Sequence, residues 1–245
     1  MKQFTPKLKA SRLSYLSILN VLLFISSHGI AEDRVVIDDF TNSNLAGWKS
    51  KVFESTTHYT LTQEDGFPSL HALSIASASG LYKEQTIDLR KTPYLNWRWK
   101  ISAPLAGLNE RSKPGDDYVA RIYVVINGGW RIWQTKALNY VWSSNQRKEL
   151  IWDNAFAGSA ARMLSVRGLQ DTAGKWYTEK RHVLNDLKKA FSLNAGSDKE
   201  WKRHEIDVIA IMTDTDNSGL KAEAWYGAIF SQLSSSKPSP LTFPI

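Results

Sequence analysis

Residues 94–101 read Tyr-Leu-Asn-Trp-Arg-Trp-Lys-Ile, and this stretch decides the fold class. Its apolar side chains, Leu95, Trp97, Trp99 and Ile101, occupy every second position, with polar residues between them. A period of two is typical of a β-strand that buries one face and leaves the other in solvent. The sequence therefore predicts a strand with two indole rings on its buried face.

Short strands separated by turns extend from this stretch in both directions. Residues 206–213 are apolar on both faces, which is typical of a central strand, and a helical period is visible over residues 178–191. Roughly ten strands and one short amphipathic helix predict an all-β fold: a two-sheet antiparallel β-sandwich of the jelly-roll type, in a single domain over residues 32–233. The other predicted strands cover residues 34–39, 58–62, 70–76, 81–87, 118–126, 130–138, 139–142, 161–168 and 222–230, with turns at 127–129 and 214–219 and irregular chain at 143–160.

The first 31 residues predict an export signal. Basic residues precede a short apolar run over residues 13–25, and Gly29 and Ala31 supply small side chains at the expected cleavage position. The run is shorter than the roughly 20 residues needed to cross a bilayer. We therefore expect a periplasmic protein with no transmembrane segment after residues 1–31 are removed, with an uncleaved N-terminal anchor as the alternative. The composition of residues 234–245 predicts a flexible C-terminal tail.

The charge balance argues against a nucleic-acid partner. The full chain has 31 Lys and Arg against 24 Asp and Glu, but Lys2, Lys7, Lys9 and Arg12 belong to the predicted signal. The remaining 27 basic and 24 acidic residues give a net charge of +3 and form no basic stripe. The chain has no Cys, which excludes disulfides, thiolate metal sites and a Cys nucleophile.

Ten Trp residues are the most unusual feature of the composition. Indole rings either fill the space between two sheets or lie exposed as platforms on which sugar rings stack. Trp97 and Trp99 fit both roles. Trp130, Trp133 and Trp142 lie close to predicted turns and are the better candidates for platforms.

A charged group stands at the start of the strand over residues 118–126. Asp116 and Asp117 immediately precede it, and Arg121 and Tyr123 share the face opposite its apolar residues. An Arg within such a strand either faces solvent or pairs with a carboxylate in a polar groove. We predict Asp116 or Asp117 as that partner, either in a structural ion pair or in a ligand-binding groove, although Asp116 could instead close the preceding Pro-Gly turn.

A second charged group lies at the start of the predicted helix. Glu179, Arg181, His182 and Asp186 are either a solvated face or, for Glu179 and Arg181, part of the same groove. No Gly-x-Ser-x-Gly turn accompanies them and the His residues lack metal-ligand spacing, so neither a hydrolase triad nor a zinc site is indicated. The chain also lacks the glycine-rich loops that hold phosphates.

Residues 214–219 read Asp-Thr-Asp-Asn-Ser-Gly, which resembles the opening of a calcium-binding loop. The pattern then departs, because the twelfth position is Trp225 instead of Glu. Asp214 and Asp216 are candidate calcium ligands in a β-sandwich site, with Asp38 or Asp39 contributing. The alternative is an ordinary turn between two strands. No other cofactor is indicated.

Several motifs also occur together in one family of exported bacterial proteins. They are Asp38-Asp39-Phe40, Gly47-Trp48, Ser79–Tyr82, Gly115–Tyr118, Ala120–Val124, Ala137–Trp142, Glu179–Phe191 and Ile209–Asn217. The sequence resembles domain of unknown function 3047 over about residues 34–230, and the resemblance implies no reaction. Ser192 and Ala228 replace a Gly and an Asp of the family pattern, and the missing Asp removes a potential calcium ligand. A more distant likeness to galactose-binding jelly rolls implies carbohydrate binding.

The favoured hypothesis is a non-catalytic periplasmic domain that binds a carbohydrate or other glycan. Asp117, Arg121, Tyr123 and Trp142 would form the groove, with the rings stacking on sugars and the charged pair orienting hydroxyl groups. The full set of predicted ligand-binding residues is Asp116, Asp117, Arg121, Tyr123, Trp142, Glu179 and Arg181.

Two other functions are carried as alternatives. One is a polysaccharide hydrolase in which Glu179 acts with Asp116 or Asp117 as acid and base, or a lyase that uses Tyr123 and Arg121. The other is a structural envelope domain in which the polar motifs form a buried network.

Overall fold

The computed structural model describes residues 34–126, 135–191 and 204–233. All of them belong to one compact unit of the chain. None of the described residues forms a helix that is both long and apolar enough to cross a membrane.

Several sequence-based predictions lie outside the described residues. They are the signal peptide over residues 1–31, the tail over 234–245, the turn at 127–129, and the platform candidates Trp130 and Trp133. These remain predictions.

The described chain contains fourteen strands and one α-helix, with a short 3-10 turn at Lys113–Gly115. In chain order they are β1 (Arg34–Asp38), β2 (Lys49–Glu54), β3 (His58–Glu64), β4 (Phe67–Ile75), β5 (Ala78–Asp88), β6 (Tyr94–Ile101), β7 (Ala120–Ile126), β8 (Lys136–Trp142), β9 (Ile151–Asn154), β10 (Gly158–Arg167), β11 (Tyr177–His182), α1 (Val183–Ala190), β12 (Glu205–Asp214), β13 (Lys221–Tyr226) and β14 (Ile229–Gln232).

The strands form two sheets of seven, which pack around a shared core and confirm the predicted β-sandwich. Sheet A has the order β1-β14-β6-β13-β4-β3, with β11 also pairing with β6, and its pairings are antiparallel. Sheet B has the order β2-β5-β12-β7-β8-β10-β9. The predicted central strand is confirmed, since β12 lies between β5 and β7.

The prediction of uniformly antiparallel sheets is wrong for one pair, because β8 and β10 run parallel. A parallel pair needs a crossover connection, and residues 143–157 provide it. This segment was predicted to be irregular, but it contains β9, which pairs antiparallel with the far edge of β10. The hairpin of β9 and β10 therefore brings the chain back beside β8 in the parallel direction.

Aromatic rings fill the space between the sheets. Trp97 and Trp99 are fully buried, with ring centroids 5.4 Å apart in an edge-to-face arrangement. From sheet B, Tyr140 lies 5.2 Å from Trp97 and Trp142 lies 5.8 Å from Trp99. Such ring pairs stabilise by about 0.5–1.5 kcal/mol each beyond the area they bury. Trp142 is 1% exposed, so its predicted role as a platform is wrong: the alternation of β8 points its ring inward.

The helix predicted over residues 178–191 is shorter than expected. Residues 177–182 form β11, which pairs with β6 along its length, and α1 begins at Val183. His182 Nδ1 accepts a hydrogen bond from Asn185 N at 3.3 Å and caps the helix. Pairing with an exposed sheet edge therefore overrides the local helical pattern in the first turn. The strand predicted over 222–230 is likewise divided into β13 and β14.

The hydroxyl of Tyr226 joins the two sheets inside the core. This fully buried residue of sheet A donates to Met212 O at 2.8 Å in sheet B and accepts from Arg121 N at 3.2 Å. Its oxygen also lies 2.9 Å from Thr213 Oγ1. These contacts fix the start of β7 and the end of β12, and the charged side chains of the candidate site project from these two strand ends.

Replacing Tyr226 with Phe should destabilise the fold, because it leaves the buried N–H of Arg121 and the carbonyl of Met212 each short of a partner. An unsatisfied buried donor costs about 1–3 kcal/mol, so we expect the free energy of unfolding in urea to fall by about 2 kcal/mol. The control is Tyr177→Phe. The Tyr177 hydroxyl bonds to the exposed Thr172 backbone, so its removal should lower the free energy of unfolding by less than about 0.5 kcal/mol. Equal losses in the two variants would contradict the proposed role.

Candidate functional site

Five charged residues meet at one end of sheet B. The strand β7 places its apolar side chains in the core, so Arg121 projects from the opposite, outer face. Asp214 ends the neighbouring strand β12, and the other members lie on the adjoining loops. We call this group the Arg121 cluster; it consists of Asp116, Asp117, Arg121, Asp214 and Asp216.

Arg121 is paired with Asp214, through Nη2 and Oδ2. The two residues are 4% and 1% exposed, so each charge depends on the other for compensation. Asp214 Oδ1 also accepts from Tyr118 N at 3.2 Å. The prediction that Asp116 or Asp117 is the ion-pair partner is therefore wrong. The pairing of β7 with β12 brings Asp214 to Arg121 from far along the chain.

Asp117 holds the turn that follows β12. Its Oδ1 accepts from Asn217 N at 3.2 Å and from Asn217 Nδ2 at 3.1 Å, and its Oδ2 accepts from Ser218 N at 2.7 Å. The predicted turn at 214–219 is thus fixed by a carboxylate from another loop.

Asp116 is buried, and half of its hydrogen-bonding capacity is unused. Its Oδ2 accepts from Asn154 Nδ2 at 2.8 Å, whereas Oδ1 has no partner. Burial raises the pKa of Asp116, and the nearby Arg121 opposes that rise. The preceding residue must be Gly115, because a Cβ there would lie 2.5 Å from Asn109 O.

Other buried atoms around Asp116 also lack partners. They are Arg121 Nε, Asp216 Oδ1 and, on β8, Asn139 Oδ1. Burial raises the pKa of Asp216, and the neighbouring Asp117 raises it further. Buried polar atoms in folded proteins are almost always satisfied by protein, ordered water or a ligand. This part of sheet B therefore has buried donors and acceptors whose hydrogen-bonding capacity the described residues leave unused.

A row of four residues crosses the outer face of sheet B beside the cluster. Tyr82 of β5 pairs with Ala210 of β12, Ala210 pairs with Tyr123 of β7, and Tyr123 pairs with Asn139 of β8. Both Tyr residues are half-buried. Two strand spacings separate them, about 9–10 Å, and Ala210 is the residue between them in the row. We call this row, which has an aromatic ring on each side of a small residue, the trough.

Tyr123 links this row to the cluster. Its ring centroid lies 5.7 Å from the guanidinium carbon of Arg121, and its hydroxyl donates to Met212 Sδ at 3.3 Å. Tyr118 lies 4.9 Å from the same carbon but is fully buried. Of the two rings that contact Arg121, only that of Tyr123 is therefore accessible to solvent.

Glu179 does not join the Arg121 cluster as predicted. It lies on β11 in sheet A, where its Oε1 accepts from Trp99 Nε1 at 3.0 Å and from Arg167 Nε at 2.5 Å. Arg167 also pairs with Asp171 at 3.0 Å. Burial alone would raise the pKa of Asp171, but hydrogen bonds from Lys148, Gly168 and Arg167 lower it overall.

Arg181 belongs to a third network. Its guanidinium pairs with Glu149 at 2.6 Å and with Asp186 at 2.8 Å, and Asp186 accepts from Tyr140. In the part of the chain that the structure describes, no hydrogen bond or ion pair connects Glu179 or Arg181 to the Arg121 cluster. The seven predicted ligand-binding residues are thus divided among the cluster, the neighbouring row that contains Tyr123, two other networks and the core.

The carboxylates of Asp117, Asp214 and Asp216 could approach one metal ion, because one oxygen of each lies within 4.8 Å of the others. However, both oxygens of Asp117 accept N–H donors, and Asp214 is paired with Arg121. The guanidinium supplies the positive charge that a calcium ion would bring. Asp38 serves elsewhere, accepting from Trp48 Nε1 at 2.8 Å.

Sequence reasoning missed three participants. Asn139 and Tyr82 join the trough only through strand order, which the sequence does not contain. Glu110 is 1% exposed and accepts from Ser144 N at 2.7 Å and from the Ser143 hydroxyl; burial raises its pKa. Glu110 lies in a loop, where no periodic pattern of apolar residues indicates which side chains are buried.

The chain is a β-sandwich with a buried ion-pair cluster on one outer face. A family model described as a protein of unknown function (DUF3047) matches residues 46–230. The chain belongs to this family, as the sequence motifs predicted. No curated protein matches the sequence.

Solved structures show distant likenesses only. A structure titled for carbohydrate-binding modules of the β-sandwich superfamily is 11% identical, with a TM-score of 0.38; the match covers 79% of this chain and 60% of that one. The xylan-binding module CBM15 is 12% identical with a TM-score of 0.38, covering 84% and 99%. The K2 adhesin domain of Lys-gingipain is 10% identical with a TM-score of 0.39, covering 81% and 99%.

Calcium should leave the stability of the protein unchanged, because N–H donors occupy both oxygens of Asp117 and Arg121 is paired with Asp214. We expect the melting temperature in 5 mM calcium chloride and in EDTA to agree within about 1 °C, since only a ligand that prefers the folded state raises it. An increase with calcium that disappears in Asp216→Asn would show that the acidic group binds the ion.

Replacing Asp116 with Asn should remove a binding atom without cost to the fold. The raised pKa means that the folded chain binds the proton of Asp116 more tightly than the unfolded chain does, so this residue's stabilising contribution is complete below pH 3.8 and is lost as pH rises. Asn stays neutral at every pH. Urea unfolding should therefore give Asp116→Asn an advantage at pH 7, up to about 1 kcal/mol, that shrinks towards pH 4.

A variant that is less stable than the wild type at pH 7 would show instead that ionised Asp116 supports the fold. Asp153→Asn is the matched control, because Asp153 is an exposed acid paired with Arg162. Its stability should change little with pH relative to the wild type.

Proposed function

We propose that this protein binds a carbohydrate in the trough on the outer face of sheet B and catalyses no reaction on it. The observation that supports the proposal is the combination of two half-buried rings, Tyr82 and Tyr123, with unpartnered polar atoms beside them. Sugars present exactly these two kinds of surface: apolar C–H faces, and hydroxyl groups that donate and accept. Pockets for small ligands are likewise largely apolar with a few placed polar groups.

Each part of the trough has a distinct task in the proposal. The rings of Tyr82 and Tyr123 stack on the C–H faces of two sugar units of one glycan chain. Asp116 Oδ1 and Asn139 Oδ1 accept hydrogen bonds from hydroxyl groups, and Arg121 Nε donates one. The charged acceptor makes the strongest of these bonds.

The contacts favour binding over catalysis. A hydrolase using Glu179 with Asp116 or Asp117 would need an acid and a base facing one bond, but Glu179 is in sheet A and engaged by Arg167 and Trp99. A lyase base at Tyr123 would need a lowered pKa, whereas burial raises the pKa of that hydroxyl. Both catalytic alternatives therefore lack support.

The proposed location is the periplasm. It rests on the basic residues, short apolar run and small residues within residues 1–31. A role at the cell envelope agrees with a glycan ligand.

Native affinity electrophoresis with soluble neutral polysaccharides tests the proposal. We expect at least one of barley β-glucan, xylan, galactomannan and pullulan to retard the protein. Tyr123→Ala and Asp116→Asn should then raise the dissociation constant at least tenfold, because stacking and a charge-assisted hydrogen bond are each worth about 1.4 kcal/mol or more.

The matched control is Trp225→Ala, which removes a half-buried ring from the outer face of sheet A. It should bind as the wild type does, and thermal unfolding should show that all three variants are folded. Absence of retardation by every polysaccharide would favour the structural envelope role. Equal loss in Trp225→Ala and Tyr123→Ala would place the binding elsewhere.

A further inference from the structure

On the outer face of sheet A lies a cation with no counterion among the residues that the structure describes. Arg98 of β6 stands between the buried Trp97 and Trp99 in sequence and so projects to the other side of the sheet. Its guanidinium carbon lies 3.9 Å from the ring centroid of Phe67 and 4.9 Å from that of Trp176. The two rings meet edge to face at 6.3 Å. We call these three side chains the Arg98 corner.

Among the described residues, Arg98 has no acidic partner. Four other arginines on strands pair with carboxylates: Arg121, Arg162, Arg167 and Arg181. Within the described ranges, neither a hydrogen bond nor an ion pair reaches the side chain of Arg98. Burial lowers its pKa, and no neighbouring carboxylate opposes that change.

Two N–H donors in the corner are buried and unused. They are Arg98 Nε and Trp176 Nε1. The remaining nitrogens of Arg98 make no bond to the protein and are not buried, so a molecule in solution can reach them. The accessible nitrogens of Arg98 and the two buried donors therefore all lack a hydrogen-bond partner among the described residues.

The backbone is shaped to make room for this corner. Sheet A is interrupted between β13 and β14 at Gly227, whose N–H donates to Arg98 O at 2.9 Å. A Cβ at this position would lie 3.2 Å from Arg98 Cβ and 3.6 Å from Trp176 Cζ3. The glycine thus lets the arginine and the indole pack together over the sheet.

We infer that the Arg98 corner binds the carboxylate of an acidic polysaccharide, at a site separate from the trough on sheet B. A guanidinium stacked on aromatic rings is held flat and keeps the edge of its plane open. That edge matches the two oxygens of a carboxylate, which it binds through parallel hydrogen bonds. The Trp176 N–H supplies a further donor.

The charges nearby fit a monoanion better than a dianion. Lys100 is already paired with Glu64 at 2.5 Å and with Asp65 at 2.9 Å, and Glu223 contacts His71 at 2.9 Å. Arg98 therefore offers one uncompensated positive charge in a neighbourhood that contains acids. A carboxylate carries the single negative charge that balances it.

Rings on the same face favour a sugar acid over an acidic peptide. Trp225 stacks on His71 with centroids 5.0 Å apart and planes at 25°, and Phe67 is 39% exposed. A uronic acid unit has both a carboxylate for Arg98 and an apolar ring face for these platforms, and its neighbours in the chain can extend along the sheet.

Affinity electrophoresis with polygalacturonate tests the inference, and the same polymer fully methyl-esterified is the neutral control. We expect retardation by the acid form and at least tenfold weaker retardation by the ester. Arg98→Lys should raise the dissociation constant at least fivefold, because Lys keeps the charge but has no planar fork. Trp176→Phe keeps a ring but removes the donor, and a two- to fivefold increase is expected.

Two variants separate this site from general charge attraction and from the trough. Arg90→Gln removes a positive charge from an exposed residue paired with Asp88 and should leave binding unchanged, whereas Tyr123→Ala reports on the trough. Retention of full binding in Arg98→Lys, or equal loss in Arg90→Gln, would overturn the site. Loss in Tyr123→Ala alone would assign the acidic polymer to the trough.

Two further ligands test the chemical class. Dextran sulfate bound as tightly as polygalacturonate through Arg98 would overturn the preference for a carboxylate. Poly-L-glutamate bound as tightly through Arg98 would overturn the assignment to a polysaccharide. Melting temperatures of the variants within about 3 °C of the wild type, a shift of about 1 kcal/mol at most for a domain of this size, would show that each fold is intact.

Discussion

The positive charge of Arg121 is buried at the end of sheet B, and the geometry of the candidate site follows from the need to compensate it. Removing one charge from water costs several kcal/mol unless an opposite charge and hydrogen bonds replace the water. Asp214 supplies the opposite charge, and Tyr118 and Tyr123 cover the guanidinium. Asp117 is then free to hold the 214–219 turn, and one oxygen of Asp116 is left without a hydrogen bond from the described residues.

The sandwich could be predicted because its signals are local. The alternation over 94–101 and the apolar run over 206–213 each state which faces of a strand are buried, and two such strands imply two sheets. The order of strands is not local. No pattern in residues 136–167 indicates that β10 lies parallel to β8. The helical period near residue 180 likewise could not indicate that residues 177–182 pair with the free edge of β6.

The site was predicted only as a set of residue types. Arg121 and Tyr123 were assigned to the correct face by alternation, but the identity of the ion-pair partner depends on the register of β7 against β12. The sequence also does not show which strands are neighbours. Glu179 and Arg181 were therefore grouped with the cluster by composition alone, although β11, on which they lie, is not next to it in a sheet. Trp142 was misassigned because its position near a predicted turn was given more weight than the alternation of its own strand. That alternation places the Trp142 ring in the core.

Both proposed sites rest on the same observation: buried polar atoms without a hydrogen-bond partner lie on the outer faces of the two sheets. A purely structural domain gains stability by replacing an unpartnered buried atom with an apolar one, since each such atom costs about 1–3 kcal/mol. Here many of these atoms lie on the two outer faces: Asp116, Arg121 and Asn139 on sheet B, Ser69, Arg98 and Trp176 on sheet A. On each face they stand beside accessible rings. Water can satisfy the atoms, but it gains nothing from the rings, whereas a sugar satisfies both.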